Sequence, residues 1–312
     1  MQIRHVMTRF LSRGVRAALM LGLTAVLLQL ASATEFVGVD INSGKLLYMP
    51  SSKTVITIAN TGAKPDSVIL GSDELIIYAL AGAGEVHSFN PYSKVDTTLA
   101  TGLTSPANMV LEPGCKSILV SDVGVNKIFR IMLANHALTT FYSGPDKIEG
   151  LAYDNKGDLF ANDEQLNAIV EFSFDGTIIN QTPSNLPLTA PYGLAYDAHT
   201  TALYATSNTG QVIYSAPTTL ATVSSISFPV APVLQDVVSD GGGNLYVMGV
   251  NGTTGTIFKY AIVKAITTTL NSAPGLYDVA LIPPGPCIKI PGTDSDCEAT
   301  GDDRSGPGVS PK

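Results

Sequence analysis

The chain has 312 residues, of which 45% are hydrophobic and only 14% charged; such a composition excludes global disorder and supplies enough apolar side chains for a sizeable core. Acidic residues outnumber basic ones 26 to 18, for a net charge of -8. That balance sets the protein against phosphate backbones and anionic membrane surfaces, so nucleic acid is not an expected partner.

In chain order, the first element is a leader. Arg4, Arg9, Arg13 and Arg16 precede an uncharged, largely apolar run of 14 residues from Ala17 to Leu30, which ends on Ala31-Ser32-Ala33. This is the order of a secretory signal peptide, and the run is short of the roughly 20 residues that span a bilayer. Cleavage after Ala33 would remove the four arginines, move the net charge from -8 to -12 and leave no membrane attachment. The expected location is secreted or periplasmic.

From Phe36 onward the sequence is a repeat. The clearest unit reads Glu149-Gly150-Leu151-Ala152-Tyr153-Asp154, then Leu159-Phe160-Ala161-Asn162-Asp163, then Ala168-Ile169-Val170-Glu171-Phe172. The next unit follows as Gly193-Leu194-Ala195-Tyr196-Asp197, Leu203-Tyr204-Ala205 and Val212-Ile213-Tyr214. Each segment is short, rich in β-branched and aromatic residues and bounded by Gly, Asn, Asp or Pro, which reads as strand. Aligned on Gly150, the first strands fall at Ser67, Asn108, Gly150, Gly193, Asp236 and Asp278, with spacings of 41 to 43 residues.

Second strands align on Phe36, Leu75, Ile118, Leu159, Leu203 and Leu245, and a third landmark runs through Leu46, Val86, Ile128, Ile169, Val212 and Ile257. Thr/Ser-rich runs such as Leu138-Thr139-Thr140-Phe141 and Ile266-Thr267-Thr268-Thr269-Leu270 supply exposed fourth strands. Four short strands per period of about 40 to 50 residues predict a propeller blade. The second-strand series begins before any first strand, and the first-strand series ends at Leu276 to Leu281 with nothing after it. The expected fold is therefore all-β: a six-bladed propeller over residues 34–282, four antiparallel strands per blade, with the first blade closed by the C-terminal strand. A closed ring leaves no open edge, and a monomer is expected.

After Pro283 the composition turns to Pro, Gly, Asp and Ser, and residues 283–312 read as a tail without a core of its own. Cys287 and Cys297 lie ten apart within it and are expected to form a small disulfide loop in an oxidising compartment, with Cys115 left as a thiol.

The unit from Gly150 to Phe172, with Gly157, Asp163 and Asn167 in place, resembles the NHL repeat and the blades of the gluconolactonase, senescence-marker-protein and paraoxonase superfamily of six-bladed propellers. In lactonases of that superfamily a calcium ion or related divalent cation sits in the channel, held by Glu, Asn and Asp at innermost strand starts. The resemblance puts Glu149 at the Glu position, while Tyr192 stands at the Asn position, Gln235 at the Asp position and Tyr277 where a paraoxonase closing strand would carry a ligating Glu. Asp66, Asn108, Asp236 and Asp278, each at or next to a strand start, are further oxygen donors for such a cation.

Beside Asp122 and Asp163, loops between second and third strands carry Asn126 and Asn167 four residues on. Asp and Asn in such places bond turn backbone, yet these loops face the same end of the channel as Glu149 and are candidates to face a ligand. His87, His136 and His199 avoid the strand starts, and no G-x-S-x-G elbow exists, so triad hydrolysis has no carriers. The leading expectation is a binding or scaffold module that meets a small molecule or protein at the channel mouth through Tyr192, Gln235, Tyr277, Asp122 and Asp163. The alternative is a divalent-metal-dependent lactonase or esterase centred on Glu149.

Overall fold

The computed structural model describes residues 34–50, 54–71 and 75–282; the expected leader and tail lie outside the described residues. Blade one holds β1 (Glu35–Asp40), β2 (Lys45–Met49) and β3 (Ile56–Asn60). Blade two holds β4 (Pro65–Leu70), β5 (Ile76–Leu80), β6 (Glu85–Phe89) and β7 (Asp96–Ala100). Blade three holds β8 (Pro106–Leu111), β9 (Ser117–Asp122), β10 (Lys127–Met132) and β11 (Leu138–Ser143). Blade four holds β12 (Ile148–Tyr153), β13 (Leu159–Asp163), β14 (Ala168–Phe172) and β15 (Ile178–Gln181). Blade five holds β16 (Pro191–Asp197), β17 (Ala202–Ser207), β18 (Val212–Pro217) and β19 (Ser224–Ser227). Blade six holds β20 (Val233–Ser239), β21 (Asn244–Asn251), β22 (Thr254–Ala261) and β23 (Ile266–Pro274), and β24 (Leu276–Ile282) follows it.

These strands form six four-stranded antiparallel sheets in a ring, a six-bladed β-propeller. β24 is the innermost strand of blade one, in the order β24-β1-β2-β3, with Glu35 opposite Ile282 and Gly38 opposite Val279. The closure expected from the offset of the landmark series is thus present. Burial grades outward through each sheet: β5, β9 and β13 are buried along their whole length, whereas β3 and β19 are largely exposed. The Thr and Ser of the fourth strands follow from that gradient, since β-branching suits the pleat while the hydroxyl stays wet.

The core lies between blades rather than within them. One apolar cluster joins Ile77, Ala79 and Val86 of blade two to Met109, Ile118 and Val120 of blade three. Phe36, Leu47 and Met49 of blade one pack against Tyr246, Met248 and Ile257 of blade six. Phe36 and Tyr246 meet edge to face with ring centroids 5.3 Å apart, so the seam where the ring closes is packed like the other blade interfaces.

One expectation is overturned. Cys115, in the turn between β8 and β9, is disulfide-bonded. With three cysteines in the chain, its partner is Cys287 or Cys297, both outside the described residues. A free Cys115 beside a Cys287–Cys297 loop is therefore excluded. Spacing along the tail suggested a local bridge, but a cysteine's partner is set by the fold, which brings the β8–β9 turn to the face from which the chain leaves β24.

Candidate functional site

All six innermost strands break their ladder at the same place. The pairing register slips between Pro65 and Ser67, Pro106 and Met109, Ile148 and Leu151, Pro191 and Leu194, Leu234 and Asp236, and between Leu276 and Asp278. A bulge turns the skipped residue out of the pleat. Here it aims Asp66, Ala107, Glu149, Tyr192, Gln235 and Tyr277, one from each blade, at a common axial cavity.

The residue after each bulge position forms the layer below. It is Ser67, Asn108, Gly150, Gly193, Asp236 and Asp278, the same set on which the sequence repeat aligns. Glycine is required at two of these places by close approach: a Cβ on Gly150 would lie 2.3 Å from the Tyr192 carbonyl oxygen, and one on Gly193 would lie 2.7 Å from Asp236 Cα.

Second strands hold the bulges in place. Ser121 Oγ donates to the Glu149 carbonyl at 2.9 Å, and Asn162 Nδ2 donates to the Tyr192 and Gly193 carbonyls at 3.0 Å each. Thr206 Oγ1 accepts from Gly193 N at 3.0 Å. All three side chains are fully buried. Sequence reasoning passed over them. Their signal was a polar residue at one repeat position of an otherwise apolar buried strand.

The cavity at the mouth is about 20 Å³, on the measure by which one water needs about 10–15 Å³. Its walls are rich in acceptors. Burial pushes the Asp66 carboxyl up to about 7, and among the described residues it has no charged or hydrogen-bonding partner that offsets this. Burial also pushes Glu149 up to about 7, against the pull of the Lys147 ammonium 2.9 Å from Oε1. Lys147 reaches Glu164 as well and so bridges two carboxylates at the rim.

Tyr192 and Tyr277 hydroxyls meet at 3.1 Å. Both phenols are raised by burial, Tyr277 to about 12. The Gln235 Oε1 atom is buried with no hydrogen-bond partner among the described residues. Below them, the buried carboxyls of Asp236 and Asp278 are both pushed up, mainly by burial, and Asp278 is pushed further by the neighbouring Asp236. Two carboxyls so close retain a shared proton. Asp278 also accepts from Val68 N at 2.8 Å, which ties blade one to blade two.

Of the residues singled out from sequence, the fold brings Asp66, Asn108, Glu149, Tyr192, Gln235, Asp236, Tyr277 and Asp278 around this cavity. It does not bring Asp122 or Asp163 there. Asp122 accepts from the backbone of Thr104, Ser105 and Gly124 at 2.7 to 3.1 Å and pins the entry loop of its own blade. Asp163 caps its turn through Leu166 N at 2.9 Å, and its Oδ2 is buried without a partner among the described residues.

A calcium ion asks for six to eight oxygens. Among the described residues no group of three His, Cys, Asp or Glu side chains has a metal-holding arrangement. The one carboxylate at the position implied by the resemblance already has an ammonium within hydrogen-bonding distance. These residues therefore fit a hard dication poorly.

No family model matches the sequence, and no curated protein matches it. Solved structures do. A chain of a nidogen/laminin complex superposes with a TM-score of 0.68 at 16% identity, covering 80% of this chain and 98% of that one. A streptogramin B lyase gives 0.60 at 14% identity over 77% and 83% of the two chains. Virginiamycin B lyase from Staphylococcus aureus gives 0.57 at 15% identity over 77% and 84%. At these identities the likeness bears on the fold alone.

Proposed function

We propose that the protein is a secreted or periplasmic binding module whose channel mouth captures one positively charged hydrogen-bond donor, a protonated primary amine. The observation that carries this reading is unmet acceptor capacity. Gln235 Oε1 is buried at the mouth without a donor among the described residues, next to the half-buried carboxyl of Asp66 and a Glu149 that already accepts from one ammonium. Buried acceptors left unpaired are unfavourable, so a donor of matching size is stabilised there. The amine is that of a small molecule or of a lysine side chain on a protein partner. The nidogen/laminin likeness supports a propeller in protein recognition by analogy of fold only. The lyase likeness bears on the fold alone and is not followed.

The test is a set of thermal melts with butylammonium chloride, a mimic of the lysine side chain, and with calcium chloride, each against sodium chloride at equal ionic strength. Butylammonium is expected to raise the melting temperature of wild type and to leave the Asp66→Asn/Glu149→Gln variant unmoved. A calcium-dependent rise reversed by chelator would favour the metal-dependent hydrolase reading instead. No response to either would remove the amine site. Should butylammonium bind, a lysine-rich peptide added in parallel separates a protein partner from a small amine.

A further inference from the structure

We infer that Asn251 is a site of spontaneous deamidation, and that the isoaspartate formed there loosens the entry of the closing strand β24. No residue of the mouth takes part in this chemistry. Asn-Gly occurs once in the sequence, at Asn251-Gly252. Asn251 ends β21 and pairs with Thr254, which opens β22, so Gly252 and Thr253 form a two-residue hairpin turn. Gly252 has a φ of 60°, the geometry of a II′ turn with glycine in first place.

Asn251, Gly252 and Thr253 are all exposed, and a Cβ added at Gly252 would meet nothing within 4 Å. Among the described residues neither the Asn251 side-chain amide nor the Gly252 N–H has a hydrogen-bond partner. By contrast, Asn90, Asn126, Asn155, Asn167, Asn180 and Asn244 each hold a bond through the side chain. With no Cβ, the residue after Asn251 leaves its nitrogen open. The Gly252 nitrogen bonds to Asn251 Cγ, its proton passes to Nδ2, which leaves as ammonia, and a cyclic imide remains. Water then opens the imide at either carbonyl, to aspartate or to isoaspartate, whose backbone is lengthened by one methylene. The attack needs the tip to open, which breaks the terminal Asn251–Thr254 pair and is the cheap end of local unfolding.

This hairpin stands where the ring closes. Gly275 N donates to the Thr253 carbonyl at 2.7 Å, and the Gly275 carbonyl accepts from Ile41 N at 2.9 Å. Gly255, just past the turn, lies so close to β24 that a Cβ there would meet the Leu276 carbonyl oxygen at 2.0 Å. An extra methylene between Asn251 and Gly252 displaces Thr253 relative to that close contact. The Thr253–Gly275 bond takes up the mismatch, because hydrogen bonds weaken steeply with distance and angle. Gly275 leads directly into Leu276 and Tyr277, so the change reaches the wall of the mouth.

Two measurements on the full chain decide this. Wild type is aged in mildly alkaline buffer and its peptides are mapped by mass spectrometry. Aspartate plus isoaspartate at Asn251 should accumulate at least about tenfold faster than at any other asparagine, because this tip opens most readily. Another asparagine ahead of it overturns the site. Amide hydrogen exchange at Gly275 is then read in aged wild type, in aged Asn251→Gln, whose longer side chain closes the ring far more slowly, and in fresh Asn251→Asp, which carries the charge without the methylene. Exchange should be at least about tenfold faster in aged than in unaged wild type, with both variants at the unaged rate. Equal exchange in aged and unaged wild type, or fast exchange in aged Asn251→Gln, overturns the loosening. Fast exchange in Asn251→Asp assigns it to charge and overturns the role of the lengthened backbone. The mapping needs no variant, and Asn251 is exposed, so neither substitution disturbs the core.

Discussion

At the scale of single residues, the mouth gives the protein a pH dependence with a definite sign. Asp66 and Glu149 have ordinary values of 3.8 and 4.5 and are pushed up to about 7 in the fold. A carboxyl that holds its proton more tightly when folded contributes stability that is complete below about pH 4 and is lost as pH rises through about 7. Denaturant melts should therefore show stability falling from pH 5 to pH 8. Asp66→Asn should flatten that fall and stabilise the protein at pH 8 by roughly 1–3 kcal/mol. A variant less stable than wild type at pH 8 would show that Asp66 has a partner when ionised. Amine capture has the opposite trend, because the acceptors must be ionised: butylammonium affinity should grow as pH rises through about 7, and a pH-independent affinity would remove these carboxyls from the site.

At the scale of elements, the bulge that starts each innermost strand is the device that makes the site. Its supports are testable one at a time. Gly193→Ala would press a methyl against Asp236 Cα at 2.7 Å and should destabilise by about 1–3 kcal/mol. Gly82→Ala, whose added carbon would find its nearest neighbour at 3.8 Å, should be nearly silent in the same urea melts. Asn162→Leu strands the Tyr192 and Gly193 carbonyls, whose loss should be of order 1–3 kcal/mol. Much of this scale was legible beforehand: the period near 42 comes from strand-forming residues recurring between turn residues, and the repeat position occupied by Gly150 and Gly193 marks the bulge. What was not legible is the direction of the polar side chains. Asp122 and Glu149 look alike in sequence, but the first meets three backbone amides before it can meet a ligand. Ser121, Asn162 and Thr206 read as breaks in apolar strands because their partners sit on neighbouring strands and blades, out of reach of any local pattern.

At the scale of the whole molecule, the ring was legible because its closure is written in the offset between first-strand and second-strand series. The disulfide was not, because Cys115 and its partner are joined by topology across more than 170 residues of chain. Closure also makes a prediction: compared with full-length Cys115→Ser, which like the truncation lacks the disulfide, ending the chain at Gly275 removes β24, uncovers β1 and strips Leu276 and Val279 from the seam with blade six. Such a chain should lose cooperative melting and near-ultraviolet circular dichroism, whereas a retained sharp transition would show that five complete blades and an open blade one suffice. The seam has a further, mechanical consequence. Glu35 and Ile282 lie opposite each other at one end of the β1–β24 ladder, so tension applied at these two residues pulls along the hydrogen bonds, which run perpendicular to the strands, rather than shearing across them. Load then falls on one pair at a time, beginning at Glu35, and the ring should peel open at low force from blade one. With the Cys115 disulfide reduced, so that load on the C-terminal side reaches Ile282, anchoring both ends to separate bodies would turn this propeller into a release catch.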